Sequence, residues 1–257
     1  MDTPSPLTGA RPDAPAVTCV LLTTHPKRAA YLPDALRSYR AQTLPSRELV
    51  IVNDGEVALA SNAPDVRVVN LPPVPPHAAR WTLGEKRNVG VRAARGEWLA
   101  TWDDDDLSMP ERLTEQLRYA LSHGADYLVG DRTHVADADL DVQGSCYRGA
   151  AKPVMATALI RRTFAVAAGG YAPKDYMEDA ELMARIHLVC RGTVLTMPDA
   201  DWYVMRRHGG NITGEFGEST DQWVACALRD PVRAATQAKV RALRDGPGAE
   251  DVVASDG

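Results

Sequence analysis

Three short, largely apolar runs frame the first hundred positions: Val17–Leu22, Glu48–Val52 after its leading acid, and Trp98–Trp102. Each is continuous rather than alternating and rich in β-branched or aromatic residues, the pattern of a strand covered on both faces, as in a parallel sheet. Between the first two, Leu32, Ala35, Leu36 and Tyr39 recur at helical spacing within Tyr31–Ala41, with Pro33 in the first turn. Strand, helix and strand in this order predict a βαβ unit with a right-handed crossover. A strand follows at 66–69, and Leu71–Pro76 reads as a stiff, extended surface loop. The pattern next predicts a helix over 84–95 closed by Gly96, a helix over 110–123 and a strand at 127–129.

Beyond Gly130 the β/α alternation is lost. Residues 131–152 read as polar and turn-rich, followed by a strand at 154–160, a short helix at 163–168, and a helix over 176–190 carrying Leu182, Ile186 and Val189 on one stripe. Strands at 193–197 and 201–206 and helices at about 219–229 and 231–244 complete the pattern. The expected architecture is α/β, an open Rossmann-like mixed sheet flanked by helices, with a less regular second half. Its expected parts are a flexible leader (1–15), a ligand-binding half (16–130), a second half of the same domain (131–217), C-terminal helices (218–245) and a mobile tail (246–257).

Composition narrows the class. With 257 residues and 45% hydrophobic positions the chain can bury a sizeable core. A net charge of -5 argues against a general nucleic-acid binder. Four cysteines without a C-x-x-C pair indicate neither a zinc site nor a disulfide framework, which fits a reducing cytoplasm. Neither a secretory signal nor a membrane-spanning stretch is evident. Arg233, Lys239, Arg241 and Arg244 give the last helix a basic face, read as solvated in preference to a membrane contact because its apolar side is mostly alanine.

The candidate chemistry gathers where strands end. Trp98–Trp102 runs into Asp103, Asp104, Asp105 and Asp106, four carboxylates whose mutual repulsion a hard divalent cation would relieve. Along an extended backbone Asp103 and Asp105 would share one face, Asp104 and Asp106 the other. The competing reading makes them the approach to a helix capped by Ser108, with Pro110 in its first turn and Glu111 closing a capping box. In an open α/β sheet ligands bind beyond the carboxyl ends of strands, where Thr23, Asp54 and the aspartate run all fall. Asn53-Asp54-Gly55 is also a common turn sequence, but Asp54 can accept a hydrogen bond from a base N–H. Arg87 suits bidentate capture of phosphate or a base edge, or else belongs to a solvated helix face. Glu178-Asp179 at a helix start satisfies the macrodipole, and in a cleft holding a metal and a polyphosphate would offer a general base. His208, between arginine and glycines, is a candidate metal ligand or a plain surface histidine. No P-loop and no G-x-G-x-x-G occurs, so phosphate must be held by metal and side chains.

Taken in order, these residues resemble the GT-A nucleotide-sugar glycosyltransferases, within them the inverting glycosyltransferase family 2, over about residues 17–213. Val17–Thr23 is similar to the family's first strand, with Thr-Thr-His-Pro where Pro-Thr-Tyr-Asn is usual. Val52-Asn53-Asp54-Gly55 resembles its Val-Asp-Asp-Gly, and Arg87-Asn88-Val89-Gly90 through Ala94-Arg95-Gly96-Glu97 resembles the stretch leading into the metal site. Asp103-Asp104-Asp105 resembles the D-x-D motif, Glu178-Asp179 the E-D pair, and Arg206–Thr213 the late motif whose histidine reaches the metal. The resemblance implies a transferase using Mn²⁺ or Mg²⁺ held by Asp105 and His208, with Asp179 as catalytic base. It places Thr23, Thr24, Arg28, Asp54, Arg87, Asp103 and Asp104 around an NDP-sugar donor, best UDP-linked. Glu178 and Trp202 fall on the side of a small-molecule or glycan acceptor. A non-catalytic nucleotide-sugar-binding module and a sugar nucleotidylyltransferase are the alternatives; the second wants a glycine-rich loop that Thr23–Arg28 lacks.

Overall fold

The structure, a computed structural model, describes residues 14–74, 79–147, 154–209 and 230–255. Most of the expected leader and the helix expected at 219–229 lie outside them.

Among the described residues seven strands form the main sheet, ordered β11-β7-β10-β5-β1-β2-β4. They are β1 (Val17–Thr23), β2 (Arg47–Asn53), β4 (Val66–Asn70), β5 (Trp98–Asp103), β7 (Tyr127–Gly130), β10 (Val154–Arg161) and β11 (Val194–Met197). β1 pairs parallel with β2 and β5, β2 with β4, and β7 with β11, whereas β10 runs antiparallel to both β5 and β7. The continuous apolar runs follow from burial on both faces. Cys19, Leu21, Leu49, Ile51 and Trp102 pack against α1 (Leu32–Arg40) and α3 (Arg112–His123). On the other face Val20 and Leu99 meet Val91 of α2 (Leu83–Ala93) and Leu182 and Ile186 of α5 (Glu178–Leu188). Helix α2 lies so close that a Cβ at Gly90 would stand 2.3 Å from Val20 Cγ1.

Several expectations are corrected. Residues 131–152 do not simply turn: β8 (Arg132–Ala136) and β9 (Val142–Tyr147) form an antiparallel pair in a second sheet, ordered β6-β12-β8-β9 with β6 (Leu107–Ser108) and β12 (Tyr203–Arg206). Ser108 pairs with Tyr203 in that sheet, so it does not cap α3, which starts at Arg112 without a side-chain cap. Gly96 does not close α2, whose C-cap is Ala94; Gly96 instead lets the chain pass against the Thr18 backbone. The N-terminus of α2 carries its own capping box, Thr82 with Glu85. The expected tail is tied back: β13 (Val252–Ala254) pairs antiparallel with β3 (Leu59–Ser61), and Asp251 meets Arg40 at 2.7 Å. The basic helix is α6 (Asp230–Arg244), and the short helix before α5 is α4 (Arg162–Ala167). No helix among the described residues is long and apolar enough to cross a membrane.

Candidate active site

The site is built where β5, β1 and β2 end level with one another. Leu22 pairs with Asp103, and Thr23 with Asn53. The loops leaving β1 and β2 are held together by the Asn53 side chain. Its Oδ1 accepts from the amides of His25 (3.1 Å) and Gly55 (3.0 Å), and its Nδ2 donates to Val57 O and Asn70 Oδ1, both at 2.9 Å. That uses the full capacity of the amide. Gly55 is required by this closeness, since a Cβ there would stand 1.8 Å from His25 O. Asp54 follows with both oxygens engaged: Thr24 Oγ1 donates to Oδ1 at 2.6 Å and Lys86 Nζ to Oδ2 at 3.0 Å.

The aspartate run does not alternate as an extended strand would. β5 stops at Asp103, the chain bends, and the carboxylates regroup as Asp103 with Asp106 and Asp104 with Asp105. Tyr203 Oη lies within reach of Asp103 Oδ2 (3.1 Å) and of Asp106, whose Oδ1 also accepts from Arg206 N at 2.8 Å. Arg28 faces the other pair, its Nε 2.7 Å from Asp104 Oδ1 and its terminal nitrogen on Asp105. His208 Nε2 lies 2.9 Å from Asp105 Oδ2, and its ring stacks on Tyr31 at 4.4 Å.

Electrostatics separate the four acids. Burial pushes Asp103 up, partly offset by Arg87, and pushes Asp104 up to about 6 despite Arg28. Asp106 rises furthest above the usual carboxylate range, through burial and the charges of Asp105 and Asp103. Asp105 is held below that range, because the hydrogen bond to His208 and the charge of Arg28 outweigh its burial. Asp105 is therefore the most readily ionised member of the cluster.

Arg87 lies at the junction of the two halves. Its Nε donates to Glu178 Oε1 at 3.0 Å, its guanidinium covers the Tyr171 ring at 5.7 Å, and its charge acts on Asp103 and Asp179. Glu178 is only 3% exposed and is pushed up by burial, with Arg87 partly offsetting. It secures Arg87 through this bond. Asp179 is partly exposed at the start of α5; its Oδ1 accepts from Ala180 N at 2.6 Å, and its Oδ2 has no hydrogen-bond partner among the described residues. The loop before it is fixed to α2 by Asn88, which donates to Tyr171 O and accepts from Tyr171 N, both at 2.8 Å. Trp202, expected at an acceptor surface, is 2% exposed and packs in the core beneath the second sheet with Leu107 and Met109. The Arg112 guanidinium lies over its ring, 5.6 Å from the centroid.

The donor set suits a hard or borderline divalent cation only in part. Asp105 and His208 meet, but no three His, Cys, Asp or Glu side chains converge as a cage among the described residues. A cation completed by substrate phosphates and water needs only one or two protein ligands, which this pair supplies. The sequence reading had no signal for three residues of the site. Tyr203 comes from a strand about a hundred positions away, Tyr31 from the turn into α1, and Arg112 lies beneath the acids with its side chain wholly buried.

Comparison with known proteins agrees with this geometry. The family described as Glycosyl transferase family 2 matches residues 19–145. The chain is similar to the amylovoran biosynthesis glycosyltransferase AmsE of Erwinia amylovora, at 29% identity over 60% of this chain and 63% of that protein. It is also similar to the putative glycosyltransferase EpsH of Bacillus subtilis, at 36% identity over 42% of this chain and 31% of that protein. The matches thus span less than two thirds of either relative. Staphylococcus aureus TarS 1-349, solved in complex with UDP-GlcNAc, aligns with a TM-score of 0.56 at 14% identity, covering 88% of this chain and 72% of that one, a likeness of fold. The sheet, its ligand edge and these matches define a GT-A fold. Residues 19–145 carry the glycosyltransferase family 2 match.

Proposed function

We propose that this protein transfers a glycosyl group from a nucleoside-diphosphate sugar, best a UDP-sugar, to an acceptor hydroxyl with inversion at the anomeric carbon, using Mn²⁺ or Mg²⁺. The observation that carries the proposal is the meeting, at one sheet edge, of Asp54 with Thr24 and Lys86 and of Asp104 and Asp105 with Arg28 and His208.

In this reading Asp54 accepts from a nucleobase N–H, and Thr23, Thr24, Arg28, Asp103 and Asp104 surround ribose and diphosphate. Asp105 and His208 would hold the cation, which when bound supplies neutralising charge for the departing diphosphate. Arg87, fixed by Glu178, keeps a positive charge between donor and base. The acceptor oxygen forms its bond to the anomeric carbon as the bond to the β-phosphate oxygen breaks. Asp179 takes the acceptor's proton on Oδ2, a role worth roughly 10²- to 10⁴-fold in rate.

The test is a screen of nucleotide sugars with Mn²⁺ for slow hydrolysis and, where an acceptor is found, transfer. Asp105→Ala should abolish metal-dependent donor binding, and Asp179→Asn should lose turnover while still binding donor. Wild-type turnover in Asp179→Asn removes the base assignment; binding without turnover in the wild type points to a nucleotide-sugar-binding module.

A further inference from the structure

The two edges of the main sheet are treated differently. Outside β4, Asn70 accepts from Leu59 N and donates to Leu59 O, both at 2.9 Å, so β3 shields that edge. At the opposite edge stands β11, which among the described residues pairs with β7 alone. Thr193 O accepts from Tyr127 N at 3.1 Å and Met197 O from Asp131 N at 3.2 Å, so the odd-numbered positions direct their backbone groups at β7. Val194 and Thr196, alternating with them, direct N–H and C=O outward. Val194-Leu195-Thr196-Met197 has none of the usual edge protections of charge, proline or bulge. Each of the four is half-buried, and Leu188 and Val189, at the end of the neighbouring α5, are 67% and 72% exposed.

We infer that the protein forms a two-fold dimer through this edge, β11 of one copy pairing antiparallel with β11 of a second, centred on Leu195. A strand paired antiparallel with itself is self-complementary, as a two-fold interface requires. In this register Val194 of each copy faces Thr196 of the other, and each such pair exchanges two hydrogen bonds. A centre on Thr196 would set Val194 against Pro198, which has no N–H to give. A centre on Val194 would set Thr196 against Gly192, whose N–H is already donated to Ile186 O at 2.9 Å. Charge points to the same register: Arg191 and Asp199 lie four residues either side of Leu195, so each copy's Arg191 meets the other's Asp199. Both are exposed, Asp199 with 86% of its side chain open to solvent although Arg132 lies 3.1 Å from its Oδ1. Backbone, apolar and charged groups thus all complement a second copy of this chain. The inference does not depend on the reading of the cleft.

Sedimentation velocity on the full chain, over about a hundredfold range of concentration, should show a reversible dimer. Arg191→Glu and Asp199→Arg should each weaken it about tenfold or more, since the symmetry creates two like-charge contacts, and the double variant should return to within about threefold of wild type. Leu195→Cys should give a covalent dimer on mild oxidation, because residues on the axis form a non-hydrogen-bonded pair with Cα atoms about 4.5 Å apart. Val194→Cys, and the wild type with its own Cys190, should not. The cysteine variants keep the test decisive if a reversed charge unfolds the chain. A wild type that stays monomeric throughout overturns the inference, even if a foreign chain binds the edge. So does a double reversal no tighter than the single variants, or oxidation that links Val194→Cys as readily as Leu195→Cys.

Discussion

Replacing Arg112 tests what holds the acid run in place. Its guanidinium is wholly buried, yet among the described residues no carboxylate bonds to it. It donates to Gln116 Oε1 (3.1 Å), Ser108 Oγ (2.8 Å), Thr101 O (2.9 Å) and Ala156 O (3.3 Å), joining α3, β6, β5 and β10. Three rings surround it: Trp102 at 5.0 Å, Tyr203 at 5.5 Å and Trp202 at 5.6 Å. Burial works against its charge and lowers its pKa, while Tyr203, Asp103 and Asp106 act the other way. Hydrogen bonds from a charged donor contribute about 1.5–3 kcal/mol each, so four nominally sum to about 6–12 kcal/mol. Removing the charge also removes its desolvation cost, and leucine recovers apolar contact, so Arg112→Leu should cost about 3–5 kcal/mol. Arg112→Lys keeps the charge but not the planar fork and should cost about 2–3 kcal/mol. Urea unfolding followed by tryptophan fluorescence measures both. A loss below about 1 kcal/mol for Arg112→Leu would refute the view that this guanidinium ties the strand ends together.

Three further outcomes are expected. Gly55→Ala should destabilise by more than about 1 kcal/mol and weaken UDP binding by calorimetry, because its Cβ would fall 1.8 Å from His25 O. Glu48 is pushed up by burial but brought net below the usual carboxylate range by hydrogen bonds from Thr18 and from the Arg95 backbone and side chain. A depressed folded value gives stability that is present above the unfolded value and lost as pH falls through the folded one. The gap in urea midpoint between wild type and Glu48→Gln should therefore be level above about pH 5 and shrink below about pH 4; a gap independent of pH removes the assignment. Deleting the residues after Asp245 should lower stability by about 1–2 kcal/mol through loss of β13 and the part-buried Arg40–Asp251 pair, and raise amide exchange at residues 59–61.

The parallel frame was legible because its strands are buried on both faces, so Val17–Leu22 and Leu49–Val52 read as continuous apolar runs without knowledge of their partners. What failed depended on distant chain. Ser108 reads locally as a helix cap, but its strand pairing is with Tyr203. The β8–β9 hairpin is polar along Arg132-Thr133-His134 and Gln143-Gly144-Ser145, and gains its place only by pairing with β12. Alternation of the aspartates assumed that the strand continued, whereas it stops at Asp103. The site's members were largely visible as residue types at strand ends. Their partners were not: Arg28 reaches Asp104 across 76 positions, and Glu178 engages Arg87 across 91.

The reversal of β10 bears on how such a scaffold diversifies. Because it runs against β5 and β7, Val154 enters the sheet beside Gly130, at the edge where β5 and β7 finish. Changes ahead of β10 can be absorbed at that edge, while β2 and β5, which end at Asn53 and Asp103, keep their register with β1. One stretch of chain can thus be exchanged without disturbing the frame from which the acid run departs.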